Sequence, residues 1–384
     1  MMSLSSRRVA VIGARGVANY GGFETFVAEL GPRLVDKGFE VYCSQRKSGD
    51  GSVRDEYLGM KIIQFPLRFP RSSKLARIFE ILYDWYFALK CAFQLRCDVV
   101  FCLGVASGFL LPVLRLSKAM IVVNVDGIEW RRQKFSPLER TFVKMSFLAS
   151  CVAADRLILD NLQLRPYVLR KSSWKALCIP YGARPLDCPD WNPALLTSLG
   201  VKMDSIAQSH GYWLVVSRLE PDNSIHMIVE AYLSSKTLAP LVIVGSYSTT
   251  AYETSIDKMI QGSKKAKSVL FTGSIFDSSV LDLLRCHCRA YIHGHSVGGT
   301  NPSLLEAMSA GNIIVAHDNV FNREVCSEDA FYFGSSVQLS AIIDDIDVHS
   351  QRYSSMGAKV RERAATNYQW STIATLYEQL FRGN

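Results

Sequence analysis

His293-Gly294-His295-Ser296-Val297-Gly298-Gly299-Thr300-Asn301-Pro302-Ser303-Leu304-Leu305-Glu306-Ala307-Met308 is the stretch that orders the reading of this chain. The apolar run Ala290 to Ile292 ahead of it reads as a buried strand. Small and turn-forming residues follow, and a helix is predicted to start at Pro302 or Ser303. Strand, glycine-rich turn and helix start together make an anion site. Gly298 and Gly299 let the backbone approach a ligand, and the first helical turn offers unpaired N–H groups. A diphosphate fits there, and Glu306, about one turn inside, is placed to accept hydrogen bonds from vicinal hydroxyls. The same residues also admit structural accounts. Ser303-x-x-Glu306 matches a capping box, and Asn301 before Pro302 matches an N-cap with proline at the first helical position.

A chain of 384 residues is long enough for two ordinary α/β domains. Its 48% apolar and 20% charged content is that of a folded globular protein, without repeats or low-complexity tracts. Up to Pro180 there are 27 Lys+Arg against 15 Asp+Glu, and beyond it 16 against 20. A basic first half predicts an anionic partner for that half: a membrane surface, nucleic acid or a phosphorylated acceptor. Ten cysteines without framework spacing are expected as buried thiols of a reducing cytosol. Cys286-His287-Cys288 with His293 and His295 lacks a zinc-site spacing, so no metal is expected. Five apolar residues after Arg7-Arg8 are too few for a signal peptide, and the apolar run Val99 to Leu114 is broken by Gly104, Gly108 and Pro112.

Val9 to Gly13 reads as a buried parallel strand, followed by a glycine loop through Gly21-Gly22 and a helix from Phe23 to Lys37. Its spacing is not G-x-G-x-x-G, which argues against a nicotinamide or flavin site. Strands are predicted at 39–44, 61–65, 99–103, 120–124, 156–160 and 176–179. Strands separated by helical or loop segments imply a parallel sheet whose chemistry sits after the strand carboxyl ends. Asp126 stands just past such an end, where a carboxylate orients an attacking hydroxyl; it also matches an Asp-Gly turn. Glu129 and Trp130 would form an acceptor-sugar platform, although Trp130 equally suits a core. The basic, aromatic segment Phe65 to Arg96 suits a bilayer interface along Arg68–Arg77 and a packed helix beyond.

The proline-rich stretch from Pro180 to Pro193 reads as a linker. A second series follows, with strands at 213–217, 241–244, 268–272, 290–293 and 313–317. Two α/β domains joined this way leave a cleft, a common ligand site. Arg218, after the first of these strands, is suited to pairing with a diphosphate. Phe271-Thr272-Gly273-Ser274-Ile275 suits a flat base held by backbone groups. Asp345-Ile346-Asp347 resembles a metal-binding Asp-x-Asp but reads as a solvated helix face.

Arg218-Leu219-Glu220, Phe271-Thr272-Gly273 and Pro302–Gly311 resemble family 4 glycosyltransferases. The Gly13–Val27 loop, the segment Asn124–Arg132 and Gly294–Glu306 look like bacterial rhamnosyltransferases that build capsule, O-antigen or other surface polysaccharides. The resemblance implies the GT-B fold: two Rossmann-like, doubly wound parallel-sheet α/β domains with an interdomain cleft. The expected boundaries are 1–180 for the acceptor domain, 181–193 for the hinge, 194–365 for the nucleotide-sugar domain and 366–384 for a C-terminal helix returning to the first. It further implies a retaining transfer without cofactor or metal, from a nucleotide-sugar donor (dTDP-L-rhamnose first) to a lipid-linked saccharide. Donor contacts would come from Arg15, Gly21, Gly22, Arg218, Asn223, Ser274, Ile275 and His295, and from Gly298, Gly299, Thr300, Asn301, Ser303, Leu304 and Glu306. Acceptor contacts would come from Tyr20, Glu24, Asp126, Glu129 and Trp130, and the catalytic groups would be Asp126, His295 and Arg218.

Two positions depart from the family. Gly298 stands where a glutamate is usual, with His295 as the substitute candidate. Asn223 stands where a lysine is usual, with Arg15 able to supply the missing charge. The expected location is the cytoplasm, peripherally on the inner face of the membrane through the basic first domain, with no nucleic-acid partner. The rival readings are a GT-B sugar-nucleotide epimerase and an inactive sugar-nucleotide-binding or membrane scaffold protein.

Overall fold

The structure, a computed structural model, describes residues 6–17, 21–46, 55–70, 73–132, 135–192 and 211–383. The chain divides into two compact units, Met1–Gly182 with Trp370–Asn384, and Ala183–Gln369.

The first unit is built on an eight-stranded sheet. Its strands are β1 (Arg8–Ile12), β2 (Glu40–Gln45), β3 (Glu56–Tyr57), β4 (Met60–Gln64), β5 (Val99–Leu103), β6 (Met120–Asn124), β7 (Arg156–Leu159) and β8 (Ala176–Cys178). They lie in the order β3-β4-β2-β1-β5-β6-β7-β8, all parallel except β3 against β4. All five residues of β5 are buried, as both faces of a parallel sheet require. The connection from β1 to β2 runs one way along the sheet; those from β4 to β5, β5 to β6 and β6 to β7 run the other. Right-handed crossovers therefore put helix Gly22–Asp36 on one face and helices Ser73–Leu89 and Pro137–Ala153 on the opposite one. The last helix, Trp370–Arg382, joins the first face. Phe26 lies 5.7 and 5.8 Å from the rings of Trp370 and Tyr377, and Phe101 of β5 lies 5.3 Å from Tyr377. Lys37 is paired with Glu378 at 2.6 Å. This helix begins at Trp370; Asn367 still closes the preceding helix, Ser354–Asn367, in the second unit.

The second unit carries a six-stranded parallel sheet in the order β11-β10-β9-β12-β13-β14. The strands are β9 (Trp213–Val216), β10 (Leu241–Val244), β11 (Val269–Gly273), β12 (Ala290–His293), β13 (Ile314–His317) and β14 (Phe331–Phe333). Ile243, Ile292 and Val315 pack with Ile228, Leu339 and Ile343 from the covering helices, all fully buried.

Several expectations need correction. The short strands β3 and β14 were not anticipated, because two or three residues at a sheet edge carry no readable period. The proline-rich stretch is packed chain where described. Leu186 is buried with Cys286 and Ala310, Arg361 donates to the Leu186 carbonyl at 2.8 Å, and Trp191 lies 6.3 Å from Tyr212. The boundary between the two units, after Gly182, falls within this stretch, as a linker there requires. Nor are all the cysteines thiols: Cys188 and Cys286 form a disulfide. Asp347 is not a solvated residue, since it accepts from Thr237 at 2.9 Å and pairs with Arg289. No helix among the described residues is long and apolar enough to cross a membrane.

Candidate functional site

In the second unit the strand order reverses at β9, which lies between β10 and β12. A doubly wound sheet opens a crevice at the carboxyl ends of its strands at such a point. Arg218 follows β9 and His295 follows β12. The two loops are tied by Asn223, whose Nδ2 donates to the Arg218 carbonyl at 2.7 Å while its Oδ1 lies 2.8 Å from His295 Nδ1. That orientation makes Oδ1 the acceptor and His295 Nδ1 the donor. The approach is close because residue 294 is glycine: a Cβ there would stand 2.1 Å from the Asn223 carbonyl oxygen.

The turn itself is pinned from both sides. Ser296 donates its N–H and its hydroxyl to the Asp222 carbonyl, each at 2.9 Å. Asn319 and Asn322 donate to the His295 carbonyl, each at 3.0 Å. Gly298 has φ +124°, a backbone that L side chains rarely adopt. Gly298, Gly299 and Thr300 are buried.

The helix Pro302–Ser309 starts with Asn301 as N-cap, accepting from the Ser303 N–H at 3.0 Å, with Pro302 at the first position. The capping box from Ser303 to Glu306 is not formed. The Ser303 hydroxyl instead donates to the Val216 carbonyl at 2.8 Å, anchoring the helix start to the end of β9. Glu306 is gripped by the Arg285 guanidinium, which is buried and also lies 3.7 Å from Asp282. The Glu306 side chain keeps 32% of its exposure, so its carboxylate is oriented yet reachable. Leu304 is fully buried and holds the helix down. The Arg218 side chain is 59% exposed and lies 3.4 Å from Glu220. Ser274 is exposed and its hydroxyl is 2.7 Å from that of Ser246, while Ile275 beside it is buried.

Two buried polar atoms at the ends of these strands have no hydrogen-bond partner among the described residues: Ser217 Oγ after β9 and His293 Nε2 at the end of β12. Burial, with a smaller repulsion from His317, lowers the His293 pKa to about 3, so its ring is neutral at ordinary pH.

The first unit has its own strand–loop–helix turn, differently occupied. The Glu24 carboxylate accepts from the Arg15 N–H at 2.8 Å and closes the loop. The Arg15 guanidinium makes a two-pronged pair with Asp84 at 2.5 and 3.2 Å and lies 4.9 Å over the Tyr83 ring. Gly21 and Gly22 start the helix Gly22–Asp36, whereas Tyr20 lies outside the described residues. Asp126 has φ +56°, uncommon for a residue with a side chain, and its N–H is held by Asn124 Oδ1 at 2.9 Å. Glu129 pairs with Arg132 at 2.7 Å, and Trp130 packs 4.8 Å from the ring of Phe147.

Sequence reasoning missed Arg285, Asp222, Asn319 and Asn322. Only Asn319 left a signal, as an Asx residue before a helix start: it caps Val320–Cys326. The others act through contacts distant in sequence. No cluster of metal-ligating side chains occurs among the described residues.

Residues 6–184 match a family described as "Domain of unknown function (DUF1972)", and residues 205–360 match "Glycosyl transferases group 1". No curated protein sequence matches the chain significantly. Among solved structures, sucrose-phosphate synthase from Thermosynechococcus elongatus superposes with a TM-score of 0.79 at 19% identity, covering 98% of this chain and 100% of that one. Anabaena HepE in complex with UDP-glucose gives 0.77 at 14%, over 98% and 100%. The catalytic domain of Arabidopsis thaliana starch synthase IV, bound to ADP and acarbose, gives 0.74 at 14%, over 98% and 99%. These likenesses establish a GT-B fold, in which the second unit carries the match to the group 1 glycosyltransferases.

Proposed function

We propose that this chain is a retaining glycosyltransferase that moves a sugar, L-rhamnose from dTDP-L-rhamnose as the first choice, to a lipid-linked saccharide in surface-polysaccharide synthesis. The observation that carries the reading is the tie from Asn223 to His295 across the reversal point of the second sheet. It gathers the Arg218 loop, the Gly298–Asn301 turn and the start of helix Pro302–Ser309 at the ends of two neighbouring strands. The nucleotide complexes of HepE, with UDP and with UDP-glucose, lend support to a nucleotide-sugar ligand.

In this reading Arg218 and the N–H groups of the turn neutralise the leaving diphosphate, each helix-end contact contributing up to about 2 kcal/mol. Glu306, held by Arg285, accepts from the ribose hydroxyls. Ser274 and Ile275 border the base, and His295 with Gly298–Asn301 borders the sugar. Ser217 and His293 supply polar atoms that await partners. Asp126 receives the proton of the acceptor hydroxyl, and the basic first unit brings the enzyme to the inner membrane face where such an acceptor resides.

A thermal-shift screen of nucleotide sugars tests the donor, since binding to the native state raises the melting temperature. The expected result is a shift with one or more nucleoside-diphosphate sugars, largest for dTDP-L-rhamnose, that Glu306→Ala reduces. Donor is then incubated alone and with lipid-linked glycan. Consumption that requires acceptor supports transfer, change of donor alone identifies an epimerase, and neither identifies a binding scaffold.

A further inference from the structure

A surface helix ordinarily shows one apolar stripe, facing the core, and a polar one facing water. Helix Pro137–Ala153 departs from this. Ser146, Phe147, Ser150 and Cys151 are its buried side. Its outward side is also apolar: Leu138, Phe142, Met145 and Val152, spaced four, three and seven apart, are 84%, 37%, 49% and 52% exposed. The stripe continues onto the neighbouring connection. Phe109 packs 5.2 Å from Phe142, and Val113 and Leu116 are exposed beside it. Lys118 and Lys144 are exposed on the same two elements, and the one carboxylate of the helix, Glu139, is spent in a capping box with Ser136. Helix Ser73–Leu89 carries a second outward stripe, Leu75, Ile78 and Leu82, and right-handed crossovers place it on the same face of the sheet.

We infer that this face of the first unit is a docking surface for an anionic lipid bilayer, with the apolar side chains entering the headgroup region and the lysines meeting lipid phosphates. Contiguous exposed apolar groups mark interaction sites, where single ones do not. The rim selects the partner. A second copy of the chain on a two-fold axis would set these lysines against each other, whereas a negatively charged membrane complements them. The inference deepens the proposed function by naming how a lipid-linked acceptor is reached, and it rests on that reading only for this purpose.

The intact protein is sedimented with vesicles of phosphatidylcholine alone and of phosphatidylcholine with about a third phosphatidylglycerol, a mole fraction at which juxtamembrane lysines are attracted. The expected result is binding to the anionic vesicles that salt weakens. The triple variant Leu138→Ser, Phe142→Ser, Met145→Ser is expected to bind about tenfold less or weaker, and Lys118→Glu with Lys144→Glu to bind less and lose the salt dependence. These side chains are exposed, so far-UV circular dichroism and the donor-induced thermal shift serve as controls for folding. A wild type that ignores anionic vesicles, or a triple variant that binds them as wild type does, overturns the inference. So does loss of self-association in the triple variant without a change in vesicle binding. Vesicle binding without any donor shift in the wild type supports the surface and counts against the transferase reading.

Discussion

Each unit places an arginine in the turn between a strand and a helix, and the two arginines are paired differently. In the first unit Arg15 is committed to a buried carboxylate, with Asp84 only 4% exposed, and stacks on Tyr83. In the second, Arg218 is 59% exposed, held loosely by Glu220 at 3.4 Å, and its backbone is fixed by Asn223. Both partner carboxylates are buried; what differs is the pairing, two-pronged and close for Arg15, a single looser contact for Arg218, whose guanidinium stays open to solvent. In the proposed function a diphosphate needs a cation that can still turn toward it, and of the two arginines the exposed Arg218 is the one that can. Surface apolarity divides the units as well. Of the 22 large apolar residues exposed among the described ones, 17 belong to the first unit and five to the second.

Substitution at the two arginines separates these roles. Arg15→Ala leaves Asp84 buried without its counter-charge, and is expected to lower the stability of the first unit by about 3 kcal/mol or more while changing donor affinity less than the Arg218 variant does. Denaturant unfolding followed by fluorescence measures it; an unperturbed midpoint would mean that the pair is not structural. Arg218→Ala is expected to do the reverse, costing about 2 kcal/mol of donor binding, some thirtyfold in Kd, with little change in melting temperature. Calorimetric titration with the nucleotide sugar found in the screen decides it, and equal affinity would remove Arg218 from the site.

A further effect is a pH dependence to which the second unit contributes. Its neutral, buried His293 has a folded pKa of about 3 against 6.5 when unfolded, so the unfolded chain binds more protons between these values. Its contribution to stability is complete above 6.5 and is lost as pH falls toward 3. His293→Phe, which keeps a ring against Tyr291, is expected to flatten this part of the acid slope by a few degrees in melting temperature. A slope equal to that of the wild type would place the acid sensitivity elsewhere.

Much of the frame was legible because its signals are local. Five-residue runs such as Val99–Leu103 buried on both faces, and the Asn301-Pro302 helix start, need only their own neighbours to be recognised. The locations of Arg218, His295 and Glu306 after strand ends followed from the same alternation. Their partners did not. Glu306 meets Arg285 across 21 positions, His295 meets Asn223 across 72, and Arg15 meets Asp84 across 69. Nothing in the composition around either member of such a pair announces the other, and the Cys188–Cys286 bond escaped for the same reason.

By itself, then, the amino-acid order determined two parallel α/β units, the glycine turns and the residue types after the strand ends, since periodicity and turn chemistry act over a few residues. The tertiary structure alone decided which charges are closely paired and which face water, what His295 is tied to and which outward faces are apolar. These depend on groups brought together from distant parts of the chain, where burial and pairing set the electrostatics.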